Sequence, residues 1–496
     1  MDTYILNVSQ LLTLKNEEDR YGKLKSLLSS HRDYKVVFSD PTPGVSDTIS
    51  ITVPNNDAIT NPPRYIDFNN WKINISNNHS QPGKCLLYIQ NTASQENIHI
   101  TPAQVDSLDY RQSRKYLDGK KILIVRDQRK WTKRTDSADD DYYRREDAIL
   151  LEDGIAQNGP IASYDNPETA MDYYYYDVTS EEPVVLKNLV FERVAGDSHN
   201  VIGLVSVYGY DDVTFENIEC LFSPAGYKNN PTKSGDTIFD IQYCTNVKFK
   251  DINIDGTYSK DDAYGYAFRL QTLTNVVFQN VDACGKWGVF GNFNINNILI
   301  DGCEINRFDI HCYGRDAKII DTKFSNALSS NNNYNQISSF FGELSFVGCE
   351  FLNFVPLLFE PSYHTYTPFH LSMIGCQYTP TIDGVIINAG YVNSPGTVPL
   401  RRSSLCKVCW PDVHIEDLKI IASGAVSLYL FKIYDSVNPA TPISHISQAT
   451  INLASESVAA TVYFANKLLM TEETIETKTC DKDLTILSVP GGPSTI

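Results

Sequence analysis

A short pattern of apolar and polar positions recurs along the chain as apolar-x-apolar-x-turn-apolar-x-apolar, and its turn position is always Asn, Asp or Gly. A similar stretch at residues 66–73, with Asn70 at the turn, is an outlying copy. Each of the nine main copies is identified by its first apolar residue and its turn residue: Val184 and Asn188, Val213 and Asn217, Val247 and Asp251, Val276 and Asn280, Ile298 and Gly302, Ala317 and Asp321, Leu344 and Gly348, Leu371 and Gly375, Val413 and Asp417.

The phase of this pattern indicates how the chain bends. In a β-strand, alternate side chains point to the same face. Here the apolar phase slips by one residue at the turn position, so the strand must form a corner there. A corner of this kind needs a positive φ, which Asn, Asp and Gly adopt at the lowest cost. One corner at a constant phase predicts stacked coils, and apolar stretches before the copies, such as 237–243 and 267–273, predict a third strand in each coil.

The intervals between copies vary, from 19 residues between Ile298 and Ala317 to 42 between Leu371 and Val413. A solenoid allows this, because each coil restarts its strands in register while a turn can carry a loop of any length. We therefore predict an all-β chain built on a right-handed parallel β-helix, with a small N-terminal mixed α/β cap and a C-terminal β domain. The alternative is an ordinary antiparallel β protein with many strands.

The pattern also divides the chain. A helix is expected near residues 8–30, and polar, Tyr-rich stretches at 136–147 and 173–176 interrupt the region before the main repeats. The predicted domains are an N-terminal cap or attachment region at 1–60, first coils with the Tyr-rich insertion at 61–180, the parallel β-helix at 181–421, and the C-terminal β domain at 422–496.

Composition and charge narrow the class of protein. The chain has 496 residues and a net charge of -18, which disfavours nucleic acid as a partner because an acidic surface repels phosphate. Membrane insertion is not expected, since no apolar run reaches the length of a transmembrane helix. The first residues lack a basic start followed by an apolar stretch, so no secretory signal is predicted.

The eleven cysteines are predicted to be reduced thiols. Four of them, Cys220, Cys303, Cys349 and Cys376, occupy core positions of the repeat and should behave as small buried apolar residues. Cys406 and Cys409 form a single C-x-x-C with no second pair at the spacing of a zinc site, so no metal or other cofactor is predicted.

With the coils laid out, the chain resembles the pectin-lyase-like β-helix superfamily, which includes polysaccharide lyases, glycoside hydrolases and bacteriophage tailspikes. Residues 287–324 are similar to a group of β-helix proteins that carry W-G-x-x-G, then a Cys, then R-x-D-x-H, and residues 153–176 are similar to the lead-in of that group. The matching positions are Trp287, Gly288, Gly291, Cys303, Arg307, Asp309 and His311. The resemblance transfers fold more firmly than chemistry.

One candidate site follows from positions that repeat between coils. Asp240 and Arg269 each stand seven residues before the next copy, and Gln242 and Gln271 each stand five before it. These side chains should therefore project side by side from neighbouring coils. They could form a sugar-binding groove of carboxylate, guanidinium and amides. Alternatively, they could be a solvated ion pair and an amide ladder that join adjacent strands.

A second candidate site is the alternating set Arg307, Asp309 and His311, which should leave the same face of one strand. Asp309 could hold and charge the imidazole of His311, Arg307 could bind a carboxylate with two hydrogen bonds, and Trp287 could stack on a sugar ring. The alternative is that this cluster binds a glycan without cleaving it, or only orders the fold.

Two reactions fit these residues, and the residues do not decide between them. In hydrolysis, two carboxylates flank the glycosidic oxygen, and Asp240 and Asp309 are the predicted pair. In β-elimination from a uronate, an Arg neutralises the substrate carboxylate, and His311 or an Arg is the predicted base. Whether the chain is an enzyme at all is left open.

The resemblance implies a phage tail-associated, tailspike-like protein that binds and cleaves a host surface polysaccharide. The expected partners are that polysaccharide, other phage tail proteins and two further copies of the chain in a homotrimer, and the expected location is the virion tail. Two alternatives stand beside this one. The first is a bacterial polysaccharide lyase or glycoside hydrolase, extracellular or periplasmic. The second is a non-catalytic structural or receptor-binding protein of the virion.

Overall fold

In a computed structural model, the chain forms two compact units. The first consists of Met1–Val125, Asp147–Pro167 and Asp172–Gly291, and the second of Arg126–Glu146, Glu168–Met171 and Asn292–Ile496. No helix in the part of the chain described is long and apolar enough to cross a membrane. The structure describes residues 1–40, 47–54, 57–77, 85–94, 102–109, 117–127, 132–133, 142–143, 145–161, 171–193, 203–222, 236–254, 265–283, 288–325, 334–337, 340–352, 355–359, 369–380, 384–389, 412–421, 426–433, 446–453, 460–465 and 485–487.

Strands dominate the described residues, and helices are confined to three short segments. The helices are α1 (Ser9–Leu12), α2 (Glu17–Ser30) and α3 (Pro102–Ser107). The strands are β1 (Thr3–Leu6), β2 (Lys35–Phe38), β3 (Thr48–Val53), β4 (Ile59–Thr60), β5 (Tyr65–Asn77), β6 (Cys85–Gln90), β7 (Ala93–Ser94), β8 (Lys120–Asp127), β9 (Thr132–Lys133), β10 (Tyr142–Tyr143), β11 (Glu146–Glu152), β12 (Ile155–Ala156), β13 (Met171–Asp177), β14 (Val184–Arg193), β15 (Gly203–Tyr208), β16 (Asp211–Phe222), β17 (Asp236–Gln242), β18 (Thr245–Ile254), β19 (Gly265–Ala283), β20 (Gly288–Asp301), β21 (Glu304–Ile305), β22 (Asp309–Ile320), β23 (Lys323–Ser325), β24 (Tyr334–Ile337), β25 (Phe340–Val347), β26 (Glu350–Leu352), β27 (Val355–Phe359), β28 (Phe369–Ile374), β29 (Gln377–Thr379), β30 (Gly384–Ala389), β31 (Asp412–Ile420), β32 (Val426–Ile433), β33 (Ile446–Leu453), β34 (Ala460–Ala465) and β35 (Thr485–Leu487).

In the first unit, the predicted copies stack in the predicted register. Parallel pairing runs from β5 through β14, β16 and β18 to β19, and it places the first apolar residues of successive copies opposite one another: Val184, Val213, Val247 and Val276. A second parallel ladder runs from β4 through β6, β15 and β17 to the first half of β19. This stacking confirms the parallel β-helix.

The second unit is built in the same way. The first apolar residues of its copies also lie opposite one another in parallel strands: Ile298, Ala317, Leu344, Leu371 and Val413. A further parallel ladder runs from β22 through β24, β27 and β30 to β32, β34 and β35. The antiparallel alternative is therefore wrong for the coils of both units.

The corners are where the sequence pattern predicts them. Every turn residue of the nine copies has a positive φ, between 44° and 64°, and Asn70 of the outlying copy has a φ of 61°. Some corner amides also bond along the stack, since Asn217 donates to Asn188 over 2.8 Å and Asn280 donates to Asp251 over 2.7 Å. At these corners, a positive φ in the backbone is combined with hydrogen bonds between the side chains of successive coils.

The core is made of in-phase side chains that stack from coil to coil. Phe249 lies between Phe215 and Phe278 with nearly parallel rings, at centroid distances of 5.0 and 4.7 Å. All the cysteines predicted to lie in the core are buried free thiols, as expected. The spacing of about 4.8 Å between parallel strands sets this stacking distance, so each ring covers the ring of the next coil.

The N-terminal residues form a mixed α/β arrangement. β1 and β2 pair in parallel, β2 and β3 each pair with β5, and α2 buries Tyr21, Leu24 and Leu28. The predicted helix near 8–30 is present as two helices.

The strands after residue 422 differ from the prediction of a separate C-terminal β domain. β32 pairs in parallel with β30, and β33 pairs in parallel with β31. Hydrogen bonds to the preceding coils therefore continue through this region. The repeat pattern stops at residue 422 because its turn residue is lost, although the coils themselves continue.

The Tyr-rich part of the first unit forms a small sheet of its own, with strand order β12-β11-β8-β13-β7. Two of its pairings are antiparallel, β11 with β12 and β13 with β7. Its buried core consists of Ile122, Ile124, Ala148, Leu150, Tyr176 and Val178. Because β7 follows directly after β6, this sheet begins where a coil strand ends.

Candidate functional site

The polar positions predicted to repeat between coils of the first unit do lie side by side. Asp240 of β17 is opposite Arg269 of β19, and Gln242 is opposite Gln271. The same two rows continue into earlier coils. The first row, which we call row one, is Tyr88, Ser206, Asp240 and Arg269, and the second, row two, is Gln90, Tyr208, Gln242 and Gln271. We call these eight residues the polar wall.

Asp240 is at the centre of the polar wall. Arg269 donates from Nε to Oδ1 over 2.9 Å and from Nη2 to Oδ2, so the two side chains form a bidentate ion pair. Tyr208 donates its hydroxyl to Oδ2 over 3.0 Å. Gln242 donates from Nε2 to Oδ1 over 3.0 Å and to the Tyr208 hydroxyl over 3.1 Å. Each carboxylate oxygen therefore accepts hydrogen bonds from two residues, and three different residues donate in all.

This network changes the acidity of its members. Burial first, and then the negative charge of Asp240 and the hydrogen bond to it, raise the pKa of Tyr208. Burial and then the charge of Asp240 also raise the pKa of Tyr88. For Arg269, burial opposes the charged form, but the hydrogen bond and charge of Asp240 outweigh it and raise the pKa of the guanidinium. Both phenols thus stay protonated donors and the guanidinium stays a cation at neutral pH.

The two members of the ion pair are not equally accessible. The side chain of Arg269 is 48% exposed, whereas that of Asp240 is 8% exposed. A guanidinium has five N–H donors, and the pair with Asp240 engages Nε and Nη2. The outer edge of Arg269 therefore faces solvent with donors available to a ligand, while Asp240 fixes its orientation from below.

The two glutamines do not form the predicted amide ladder. The Gln242 amide donates to Tyr208 and Asp240 within its own part of the wall, and not to Gln271. Gln271 is half-buried in the next coil. The Gln271 amide therefore lies on the polar wall and does not join β17 to β19 through Gln242.

The second candidate site differs from the prediction. Arg307 and Asp309 do lie on the same side of the chain, with Nη2 and Oδ2 3.0 Å apart, but their side chains are only 2% and 0% exposed. Phe308 and Ile310, on the other side, are buried as well. Alternation correctly predicted that Arg307 and Asp309 share a face, but the predicted contacts with a sugar require that face to be exposed, and the chain is buried on both sides here.

Two of the predicted site residues are not described at the level of their side chains. Trp287 lies outside the described residues, and for His311 only the position of its backbone in β22 is described. Asp240 and Asp309, the predicted pair of carboxylates, belong to the first and the second unit respectively. Their predicted role as a catalytic pair stays a prediction.

Sequence reasoning missed Tyr208 and Ser206, although a signal for both was present. Tyr208 stands five residues before Val213, which is the offset of Gln242 and Gln271 from their copies. Ser206 stands seven residues before Val213, which is the offset of Asp240 and Arg269. Applying the same two offsets to one more coil would have found them. Tyr88 and Gln90 precede the main repeats, so no offset from a copy points to them.

Comparison with known proteins gives a likeness in structure alone. No protein-family model matches the chain, and no curated protein matches it. The Gp54 tailspike of Acinetobacter baumannii bacteriophage AP22, solved in complex with A. baumannii capsular saccharide, superposes with a TM-score of 0.55 and 10% identity, covering 96% of this chain and 79% of that one. The tailspike protein gp49 from Pseudomonas phage LKA1 gives a TM-score of 0.50 and 11% identity, covering 96% of this chain and 72% of that one. Both likenesses support the parallel β-helix fold.

Proposed function

We propose that this chain is a tailspike-like protein of a bacteriophage tail, and that its polar wall binds a polysaccharide on the host cell surface. The observation that carries the proposal is the polar wall itself, which presents two rows of hydrogen-bonding side chains on successive coils. The fold likeness to phage tailspikes supports it, and one of those was solved with a capsular saccharide.

The dimensions of the wall suit an extended ligand. Its rows cross four coils, so their ends are separated by roughly 14 Å at the usual spacing of parallel strands. Phenol, amide and guanidinium donors recur along this length, as the hydroxyl groups of a sugar chain do. A polysaccharide segment lying across the coils would meet the more exposed members of the wall, Arg269 and Gln271 at one end and Tyr208, Tyr88 and Gln90 toward the other, whereas Ser206, Asp240 and Gln242 are buried.

Arg269 is the residue we expect to contribute most to binding. Its outer N–H groups can donate to a sugar hydroxyl or, with greater strength, to a carboxylate of an acidic sugar. Asp240, itself held by Tyr208 and Gln242, holds the guanidinium in place before any ligand arrives, which lowers the entropy lost on binding.

Cleavage of the polysaccharide is a separate part of the proposal. Asp240 already accepts hydrogen bonds from Arg269, Tyr208 and Gln242. We therefore assign it the role of orienting Arg269 in place of the hydrolytic role predicted from the sequence. If the chain cleaves its ligand, new reducing ends identify hydrolysis, and the ultraviolet absorbance of an unsaturated uronate identifies β-elimination.

The assembly is also a proposal. We infer a homotrimer that attaches to other tail proteins, on the basis of the tailspike-like fold. Light scattering on the purified chain distinguishes the alternatives, because a trimer favours a virion protein, whereas a monomer favours the bacterial lyase or hydrolase.

The binding proposal is tested with immobilised capsular polysaccharides and lipopolysaccharide O-chains, followed by calorimetry on any that bind. We expect Arg269→Gln to weaken binding at least tenfold, since a hydrogen bond to a charged group contributes about 1.5–3 kcal/mol. Arg315→Gln is a matched control, because Arg315 is also an ion-paired, 40% exposed arginine but lies away from the wall in the sequence and in the other unit. Wild-type protein that binds no polysaccharide, or Arg269→Gln with unchanged affinity, would contradict the proposal.

A further inference from the structure

The polar wall ends at a corner that the Tyr-rich sheet covers. Immediately after Tyr208, Gln242 and Gln271 of row two come the corner residues Gly209, Tyr243 and Thr272, each with a positive φ. β13 of the Tyr-rich sheet packs at this corner, and the Asn91 side chain joins the two parts by donating to the carbonyls of Asp177 and Gly209, both over 3.0 Å. The wall is therefore bordered on one side by the sheet.

Three tyrosine rings meet at this border. The rings of Tyr176 and Tyr243 lie 24° from parallel, with their centroids 6.0 Å apart. Tyr174 is roughly edge-on to both rings, at centroid distances of 6.0 and 6.1 Å. Tyr176 is buried in the core of the sheet, whereas Tyr174 and Tyr243 are half-buried and keep part of their surface exposed. We call these three residues the tyrosine shelf.

Gly209 lets the shelf lie directly beside the wall. A Cβ atom at this position would come within 2.2 Å of Cδ1 of Tyr176, and the φ of 73° favours glycine independently. The ring of Tyr176 therefore covers the backbone next to Tyr208, which is a member of row two. The tyrosine shelf and the polar wall therefore adjoin each other at Gly209 within the first unit.

Tyr243 is an unusual residue for its corner. Its φ is 56°, a conformation that Asn, Asp and Gly adopt cheaply and that a bulky side chain rarely adopts. Most corners of the coils use those three residue types. Backbone strain of this kind concentrates at binding and catalytic sites, where the surrounding structure holds it. Tyr313 has a similar φ of 57° but is fully buried, so it is the partly exposed ring of Tyr243 beside the wall that points to a function beyond forming the corner.

We propose that the tyrosine shelf stacks against a pyranose ring of the same polysaccharide that the polar wall binds. This inference rests on the proposed function and adds the kind of contact that one sugar ring makes with the protein. One sugar lies with its C–H face on the exposed surface of the Tyr243 ring and its edge toward Tyr174, which is roughly perpendicular to that ring, while neighbouring sugars hydrogen-bond to Arg269 and Gln271. An aromatic ring beside a row of donors is the combination that an amphipathic sugar ring requires.

The test compares Tyr243→Asn with Tyr243→Phe, using an oligosaccharide released from a capsular polysaccharide that the wild-type protein binds. Asn suits a positive φ but removes a ring that packs against the core of the sheet, so its two effects on the thermal midpoint oppose each other; we expect a folded protein whose binding is roughly threefold to tenfold weaker. Phe keeps the ring and should bind as the wild type does. Tyr34→Asn is the control, because Tyr34 is an exposed tyrosine near the N-terminus, far along the chain from the shelf.

Saturation-transfer NMR supplies a second readout. Irradiation of the protein's aromatic protons should mark one face of a single sugar ring in the wild type and in Tyr243→Phe, and this pattern should be lost in Tyr243→Asn. If the wild type binds sugar and Arg269→Gln weakens it, but Tyr243→Asn binds normally, the shelf is wrong and the proposed function stands. Unchanged saturation transfer to the sugar ring in Tyr243→Asn, whatever its thermal midpoint, would likewise overturn the shelf. If no polysaccharide binds the wild type, the proposed function fails, and the shelf with it.

Discussion

The two Asp–Arg pairs of this chain use the same chemistry in opposite settings. In the first unit, Asp240 is buried but Arg269 is 48% exposed, so the pair presents an oriented cation to solvent. In the second unit, both Arg307 and Asp309 are buried, with side chains 2% and 0% exposed. Residue types alone therefore do not distinguish an ion pair that a ligand could reach from one that it could not. The exposed fraction of the guanidinium does.

The largest difference between the pairs should appear in stability. Arg307→Met leaves the Asp309 carboxylate buried without its cation, and breaking a buried pair in this way costs about 3–5 kcal/mol. We expect a clear fall in the urea midpoint, as measured by circular dichroism. The double variant Arg307→Met with Asp309→Leu should recover much of the loss, since it removes both charges. A midpoint of the single variant close to that of the wild type would show that the pair is not buried as described.

The matched substitution in the first unit should cost far less. Arg269→Met removes a half-exposed cation, and the Asp240 carboxylate keeps its donors Tyr208 and Gln242. We expect a loss of about 1 kcal/mol in the same urea experiment, as is usual for ion pairs with one exposed member. Equal losses for Arg269→Met and Arg307→Met would remove the contrast between the two pairs.

The smallest expected effect concerns alkaline pH. The pKa of Tyr208 is raised by burial and by Asp240, so the folded state keeps its proton at pH values where the unfolded chain loses it. The stabilising contribution is therefore complete below the ordinary tyrosine pKa and is lost as the pH rises toward the folded-state pKa. Tyr208→Phe should lessen the fall in stability above about pH 10, by at most about 1.4 kcal/mol per pH unit.

The measurement is the urea midpoint of both proteins at several pH values from neutral to alkaline. Tyr34→Phe serves as the control, because Tyr34 is exposed. Parallel pH profiles for the wild type and Tyr208→Phe would mean that Asp240 does not hold the Tyr208 proton.

The coils could be predicted from the sequence because the same short pattern of apolar and turn residues repeats in each of them. The slip in apolar phase requires a left-handed corner, and Asn188, Gly302 and Asp417 all have the positive φ that it requires. A second set of corners, at residues such as Asn246 and Asn275, was missed because no phase slip marks those positions. Register between coils then followed from the corners, so the pairing of Asp240 with Arg269 could also be predicted.

Burial of the second pair could not be predicted from its own strand. Alternation showed that Arg307 and Asp309 share a side, but it says nothing about what covers that side. The same reason explains why Tyr174 and Tyr176 were recognised as part of an insertion without being placed beside the wall.

The regular coil length in the middle of the first unit makes its surface extendable. Asp240 and Arg269, Asn246 and Asn275, and Asp251 and Asn280 are each separated by 29 residues. Since each coil contacts only its neighbours, a tandem duplication of one such 29-residue block should insert a whole rung without disturbing the others. The ligand-facing side would then grow by one step of about 4.8 Å. The number of coils would then set the length of the polysaccharide segment that is recognised, independently of the chemical groups that each coil displays.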